Sequence, residues 1–157
     1  MKKIDLGQTV SILANVGVIA GIAFLAFEIR QNTLATQMQT AQSYTNEMNA
    51  ADYFYLDHPE LMEITTKAID GKTLSRDEAG RIRIYFRNLF RVWQSAFYQY
   101  QNASLDDRFL VQMRDMITLI LNVDPNGQSY WLDNRDSMDP AFKEFVESIV
   151  DESALSE

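Results

Sequence analysis

The sequence predicts an all-α protein, a single N-terminal transmembrane helix continuing into a four- to five-helix bundle. Three observations carry that expectation. Val10 to Phe27 is a run of eighteen residues without a formal charge. After it, apolar residues recur at helical spacing, most plainly between Ile82 and Tyr100. No segment alternates apolar and polar residues between hairpin turns, as surface strands would.

The apolar run comes first. At about 1.5 Å per residue it reaches roughly 27 Å as a helix, close to the ~30 Å hydrocarbon core of a bilayer. Two other readings compete. A cleaved signal peptide would use Lys2 and Lys3 as its basic start and Gly21-Ile22-Ala23 as its cleavage site, leaving Phe24-Leu25-Ala26-Phe27 as an apolar new terminus. A buried helix of a soluble bundle would draw on Ser11, Asn15 and the Gly and Ala residues. No Pro precedes Pro59, and bilayers tolerate helix glycines, so a membrane-spanning helix is the expectation. Gly17 and Gly21 form a G-x-x-x-G pair, with Ala14 and Ser11 extending the small residues toward the N-terminus. Small residues one turn apart let helix backbones approach closely in lipid, and the Asn15 amide would need a partner there. Lys2 and Lys3 before the span against Arg30 after it lean toward an N-terminus in the cytoplasm and a domain on the outer side. The chain has no cysteine, which excludes disulfide frameworks and thiol catalysis.

The expected division is a membrane anchor at 1–30 and a helical domain at 31–157. Neither Gly nor Pro occurs from Gln31 to Asp57, so one helix should run from about Leu6 to Tyr55. Its stretch between Arg30 and Glu47 is uncharged and rich in Gln, Thr and Asn. Leu34, Met38, Ala41, Met48 and Tyr55 form a narrow seam on it, with Thr45 and Asp52 as gaps. That seam either packs against copies of the chain, borders an aqueous path, or lies against its own bundle and the headgroup zone. The candidate oligomer interface is Asn15, Gly17 and Gly21, continued by Met38, Ala41 and Met48.

A short second helix should start at Asp57-His58-Pro59-Glu60, bury Leu61, Ile64 and Ala68, and stop at Gly71. Ser75 with Glu78 three residues on reads as a capping box. It opens a helix to about Gln101, whose wide apolar face holds Ile82, Tyr85, Phe86, Leu89, Phe90, Trp93, Ala96, Phe97 and Tyr100. Ser104 is the expected cap of a fourth helix, with Phe109, Leu110, Met113, Met116, Ile117 and Ile120 inward. Pro125-Asn126-Gly127 reads as a turn, before a short Tyr130-Trp131-Leu132 segment. Asp139-Pro140 opens a last helix with Phe142, Phe145, Val146 and Ile149 on its apolar side, and the final seven residues read as a frayed acidic tail.

A net charge of −8 argues against a nucleic-acid partner, because phosphate binding needs a basic footprint. One local exception is Arg83, Arg87 and Arg91, spaced i, i+4, i+8. This stripe would suit phosphate, anionic headgroups or an acidic partner. The alternative is pairing with Asp133, Asp136, Asp139, Glu144 and Glu147. His58 is the only histidine, so no multi-histidine metal site or Ser-His-Asp triad is expected. Asp106-Asp107 stands at a helix start and Asp151-Glu152 in the tail, where the helix dipole or solvation accounts for them. No phosphate-cradling glycine loop exists, and the aromatic set reads as core before it reads as an apolar ligand pocket. No catalysis, cofactor or metal is therefore expected.

FEIRQNT (27–33), DHPEL (57–61), FRNLFRVWQSAFYQYQ (86–101), Tyr130-Trp131 and PAFKEFV (140–146) occur in order along the chain. In these the chain resembles a widespread bacterial family with one N-terminal transmembrane helix and an uncharacterised helical domain. The resemblance implies a membrane address and this fold, and brings no catalytic residue. In that family a glycine often stands in the turn here written QNASLD (101–106). The expected partners are the lipid bilayer and either a second copy of the chain or another membrane protein. The function classes left open are association as a homo-oligomer or accessory subunit, a pore-forming oligomer, and a membrane-anchored sensor of an apolar ligand.

Overall fold

The computed structural model describes residues 6–150. Lys2, Lys3 and the acidic tail, on which orientation and fraying were read, lie outside the described residues. Six α-helices and one 3-10 turn follow in order: α1 (Leu6–Asp57), α2 (Pro59–Ile69), α3 (Arg76–Gln101), α4 (Asp107–Val123), α5 (Pro125–Asn134), the turn Arg135–Ser137, and α6 (Pro140–Ile149). Among the described residues there is no strand. The all-α expectation is met, with five helices after α1. By internal contacts the chain forms two units, Met1–Gln39 and Thr40–Glu157.

The first unit is helical from Leu6 and has no core of its own. Its apolar window has a mean hydropathy of 2.3 and is 0% buried, and the helix that holds it is long and apolar enough to cross a membrane. The buried-helix reading of Val10 to Phe27 is not met: among the described residues every large apolar side chain of the run is exposed. In the polar stretch beyond it, Thr33 and Thr36 donate their hydroxyls to the carbonyls of Ile29 (2.9 Å) and Asn32 (3.0 Å). Such back-bonding to the preceding turn lets a hydroxyl sit on a helix without an outside partner.

The second unit is built around α3. Ser75 Oγ accepts from Glu78 N (3.3 Å) and Glu78 Oε2 accepts from Ser75 N (2.6 Å), which closes the capping box read from the sequence. Lys67 Nζ adds a 2.9 Å bond to the same carboxylate, tying α2 to the start of α3. These contacts hold the Glu78 carboxyl down at about 2, the backbone N–H of Ser75 contributing most. Ile82, Phe86, Leu89, Phe90, Trp93, Ala96 and Phe97 are buried; Tyr85 and Tyr100, at the stripe's edges, are half-buried. Phe90 stacks on Trp131 of α5 (5.7 Å between centroids) and meets Trp93 edge-on (5.1 Å). Phe97 stacks on Phe145 of α6 at 4.8 Å. Within this unit the last turns of α1 supply Tyr44, whose ring meets Phe109 of α4 edge-on at 5.7 Å, and Tyr55, whose ring meets Tyr85 at 5.2 Å. Burial pushes the Tyr44 phenol up to about 12.

Three local expectations are corrected. α4 is capped by Asp106, whose Oδ1 accepts from Arg108 N at 3.0 Å, not by Ser104. Ser104 instead closes α3: its N–H donates to Gln99 O (2.9 Å), and Leu105 between the two helices is buried. Met116 faces solvent, and Met113, Ile117 and Leu121, each one turn apart, are the inward row of α4. Pro125-Asn126-Gly127 is the first turn of α5. Pro125 sits at a position where its missing N–H is no loss, and Asp124 Oδ1 accepts from Asn126 N at 2.9 Å. Gly127 is buried there, and a Cβ on it would stand 2.5 Å from Ile120 Cγ2 and 3.3 Å from Phe86 Cε1. The glycine that reads as a turn signal is a close-packing position.

Candidate functional site

Two surfaces stand out, one in each unit. In the first unit, eleven large apolar side chains between Val10 and Ile29 are each more than half exposed. They point to every side of the helix. The largest apolar patch on a typical soluble monomer covers about 300–600 Å², and a helix apolar all round belongs in a core or a bilayer. Asn15, Gly17 and Gly21 are exposed among them. A Cβ on Gly17 or Gly21 would meet nothing within 4 Å, so no contact within the chain requires glycine at either place.

The proposed continuation of that face divides. Met38 is exposed at 66%. Ala41 and Met48 pack against the core of the second unit, together with Ala51 and Tyr55, and Tyr44 between them is buried to 6%. The inward positions 41, 44, 48, 51 and 55 form an unbroken 3-4-3-4 row. The seam of this polar helix therefore serves its own bundle, and Ala41 and Met48 have little surface left for another copy. The sequence reading missed Tyr44 and Ala51 because a Tyr among Gln, Ser and Thr, and one Ala of the Ala50-Ala51 pair, give no contrast. Opposite Ala51, an apolar groove of about 360 Å³ runs between α1 and α3, with Phe54, Leu89 and Val92 in its walls.

The second surface carries the arginine stripe. Arg83 Nη1 pairs with Asp133 Oδ2 at 3.0 Å, and its guanidinium lies over the Tyr130 ring at 5.9 Å. Arg87 and Arg91 project from the next two turns into a cleft of about 340 Å³ between α3, α5 and the 3-10 turn, lined also by Gln94, Tyr130, Asn134 and Ser137. Neither makes a hydrogen bond or ion pair with a described residue. Of the acids expected to neutralise the stripe, Asp133 takes Arg83, Glu144 is exposed, and the other three are engaged elsewhere. Asp136 holds Lys143 Nζ at 2.6 Å, Glu147 lies 3.6 Å from Arg135, and Asp139 caps α6 by accepting from Ala141 N and Phe142 N. Burial pushes the Tyr130 phenol up, and the charges of Arg83, Arg91 and Arg87 oppose that rise.

His58 stands just before α2, stacked on Phe54 at 4.2 Å with Nδ1 2.8 Å from Phe54 O. Among the described residues no three His, Cys, Asp or Glu side chains are placed to hold a metal ion. The aromatic residues of α3 are packed on one another and on Trp131, and Trp93 is 0% exposed. Its Nε1 has no hydrogen-bond partner among the described residues, a cost the surrounding core sustains. Set against family models, curated proteins and solved structures, the chain matches none.

Proposed function

We propose that the protein is a single-pass protein of a bacterial inner membrane that acts by association, as a homo-oligomer or as an accessory subunit of a membrane complex. The observation that carries this reading is the helix of large apolar side chains from Val10 to Ile29, exposed on every side. Helices within lipid gain nothing from hiding apolar surface, so they associate by close backbone packing and shared polar groups. Gly17 and Gly21, one turn apart with open space above them, and Asn15 beside them provide both. Met38 extends the contact beyond the span, and Ala41 and Met48 hold the domain's own core.

Light scattering of the full-length protein in mild detergent, corrected for bound detergent, tests this. A defined assembly that Gly17→Leu with Gly21→Leu reduces to monomer supports the glycine contact. An assembly of unchanged mass in that variant overturns it. A wild-type monomer removes self-association and leaves the accessory-subunit form, tested by which membrane protein co-purifies with wild type and not with the variant.

A further inference from the structure

The cleft at Arg87 and Arg91 has the chemistry of an anion site. Two guanidiniums one turn apart on α3 open into the same concavity, and no carboxylate lines it. The amide oxygens of Gln94 and Asn134 have donors already. Gln94 Oε1 accepts from Asp139 N at 3.0 Å, which turns the amide NH₂ outward as a donor. Asn134 Oδ1 faces Arg83 Nη2 at 3.5 Å, and its own amide donates to Tyr130 O at 2.7 Å. Ser137 Oγ donates to Asn134 O at 2.7 Å. The charged and strongest donors left in the lining are two guanidinium forks and the Gln94 amide, beside the Ser137 hydroxyl oxygen as an acceptor.

We propose that this cleft binds the phosphate group of a phosphomonoester, held by Arg87 and Arg91 with the Gln94 amide as a third donor. A carboxylate would leave one guanidinium uncompensated, whereas a phosphomonoester carries about −1.5 to −2 near pH 7 and matches both. The planar guanidinium fork fits phosphate oxygens in pairs. At about 340 Å³ the cleft is larger than phosphate alone needs, so part of the esterified group fits beside it. Arg83 does not join, because Asp133 already neutralises it. The phosphate is carried either by a soluble metabolite or by a lipid headgroup such as that of phosphatidic acid. The site stands apart from the membrane reading of the first unit and survives if that reading fails.

The test uses the full-length protein in dodecylmaltoside, titrated calorimetrically with inorganic phosphate at fixed ionic strength. R87Q/R91Q is compared with R108Q/R114Q, which removes the same charge from two exposed arginines on α4. All four side chains are exposed, and circular dichroism checks that both variants keep the wild-type helix content. A second arm follows the phosphorus resonance of phosphatidic acid in mixed micelles with phosphatidylcholine. Saturable phosphate binding that weakens at least about tenfold in R87Q/R91Q and not in R108Q/R114Q supports the site and a soluble ligand. Broadening of phosphatidic acid alone, lost only in R87Q/R91Q, supports the site and a lipid headgroup. No response in the wild type in either arm, or equal responses from the two variants, overturns it.

Discussion

Residues 10–29 and the stripe of α3 carry comparable sets of large apolar side chains, and the protein treats them in opposite ways. In the first, Val10, Leu13, Ile19 and Phe24 are all more than half exposed; in the second, Phe86, Phe90 and Trp93 are at most 2% exposed. Composition does not separate them. Arrangement does: α3 keeps its apolar residues to one stripe and puts Arg83, Arg87 and Arg91 outside it, so it can turn one face to protein and the other to water. The run of α1 has no polar face to give to water, so only an apolar solvent or a partner of the same kind satisfies it. The apolar stripe predicts burial within the chain, and the unbroken run predicts burial outside it.

The sharpest way to break this contrast is to empty one side chain from each region. Trp131→Ala should cost the domain about 3–5 kcal/mol, because Trp131 is 1% exposed and stacked on Phe90. Thermal unfolding followed by near-ultraviolet dichroism reads it. Leu25→Ala, in the exposed run, should leave that transition in place. If both substitutions lower Tm equally, the run is part of the folded core and the contrast is wrong.

Charge tests the other side. Ile19→Arg should cost about 2.5–3.5 kcal/mol of membrane insertion, seen as protein moving from the membrane to the soluble fraction on fractionation. The domain's Tm should not move. Continued full recovery with the membrane would mean that the run is not what holds the protein there.

Glycines sharpen the comparison further. Gly127→Ala should destabilise the domain by about 1–3 kcal/mol, since its new methyl would collide with Ile120 and crowd Phe86. Gly17→Ala should leave the domain's denaturant midpoint unchanged, as its surroundings are empty.

Smaller effects come from two helix ends closed the same way. At the end of α2, Lys72 N donates to Lys67 O and Gly71 N to Ala68 O, with Gly71 at φ +70°. At the end of α3, Ser104 N donates to Gln99 O and Ala103 N to Tyr100 O, with Ala103 at φ +54°. Both are Schellman closures, and only the first has the residue that a left-handed backbone favours. Gly71→Ala should lower stability by about 1 kcal/mol and Ala103→Gly should raise it by a few tenths to about 1 kcal/mol. Urea midpoints measure both.

The smallest effect is lost only in acid. The Glu78 carboxyl is held at about 2 against an ordinary value of 4.5, so its ionised form favours the folded state. That contribution is fully present above about pH 4.5 and disappears as the pH falls toward about 2. Glu78→Gln should therefore melt lower than wild type at pH 7, and the two should converge only as the pH falls to about 2. A constant gap across that range would mean that the capping box, not the charge, accounts for the difference.

Much of the fold is legible in the residues because its signals are local. The length and neutrality of Val10 to Phe27, the capping box at Ser75, the stripe of α3 and the stop at Gly71 each lie within a window of one or a few turns, where hydrogen bonding and side-chain period decide the outcome. The site is legible only in part. The sequence places Arg83, Arg87 and Arg91 on one helix row and supplies enough acids to neutralise all three, but it does not allot them. That allotment depends on contacts such as Arg83 to Asp133, 50 residues apart, and on which acids the cap of α6, Lys143 and Arg135 have already taken. The same holds for Ala41 and Met48, whose seam could face a second copy or its own bundle in the sequence and packs with Tyr44 on the core, and for Gly127, whose bare Cα matters only where α5 closes on α3 and α4. The sequence by itself determined most of the helices, α5 excepted, and set apart one run long and apolar enough to cross a membrane. Tertiary structure decided which charges stay unpaired and which small residues are needed, because both follow from side chains brought together by packing and not from their neighbours along the chain.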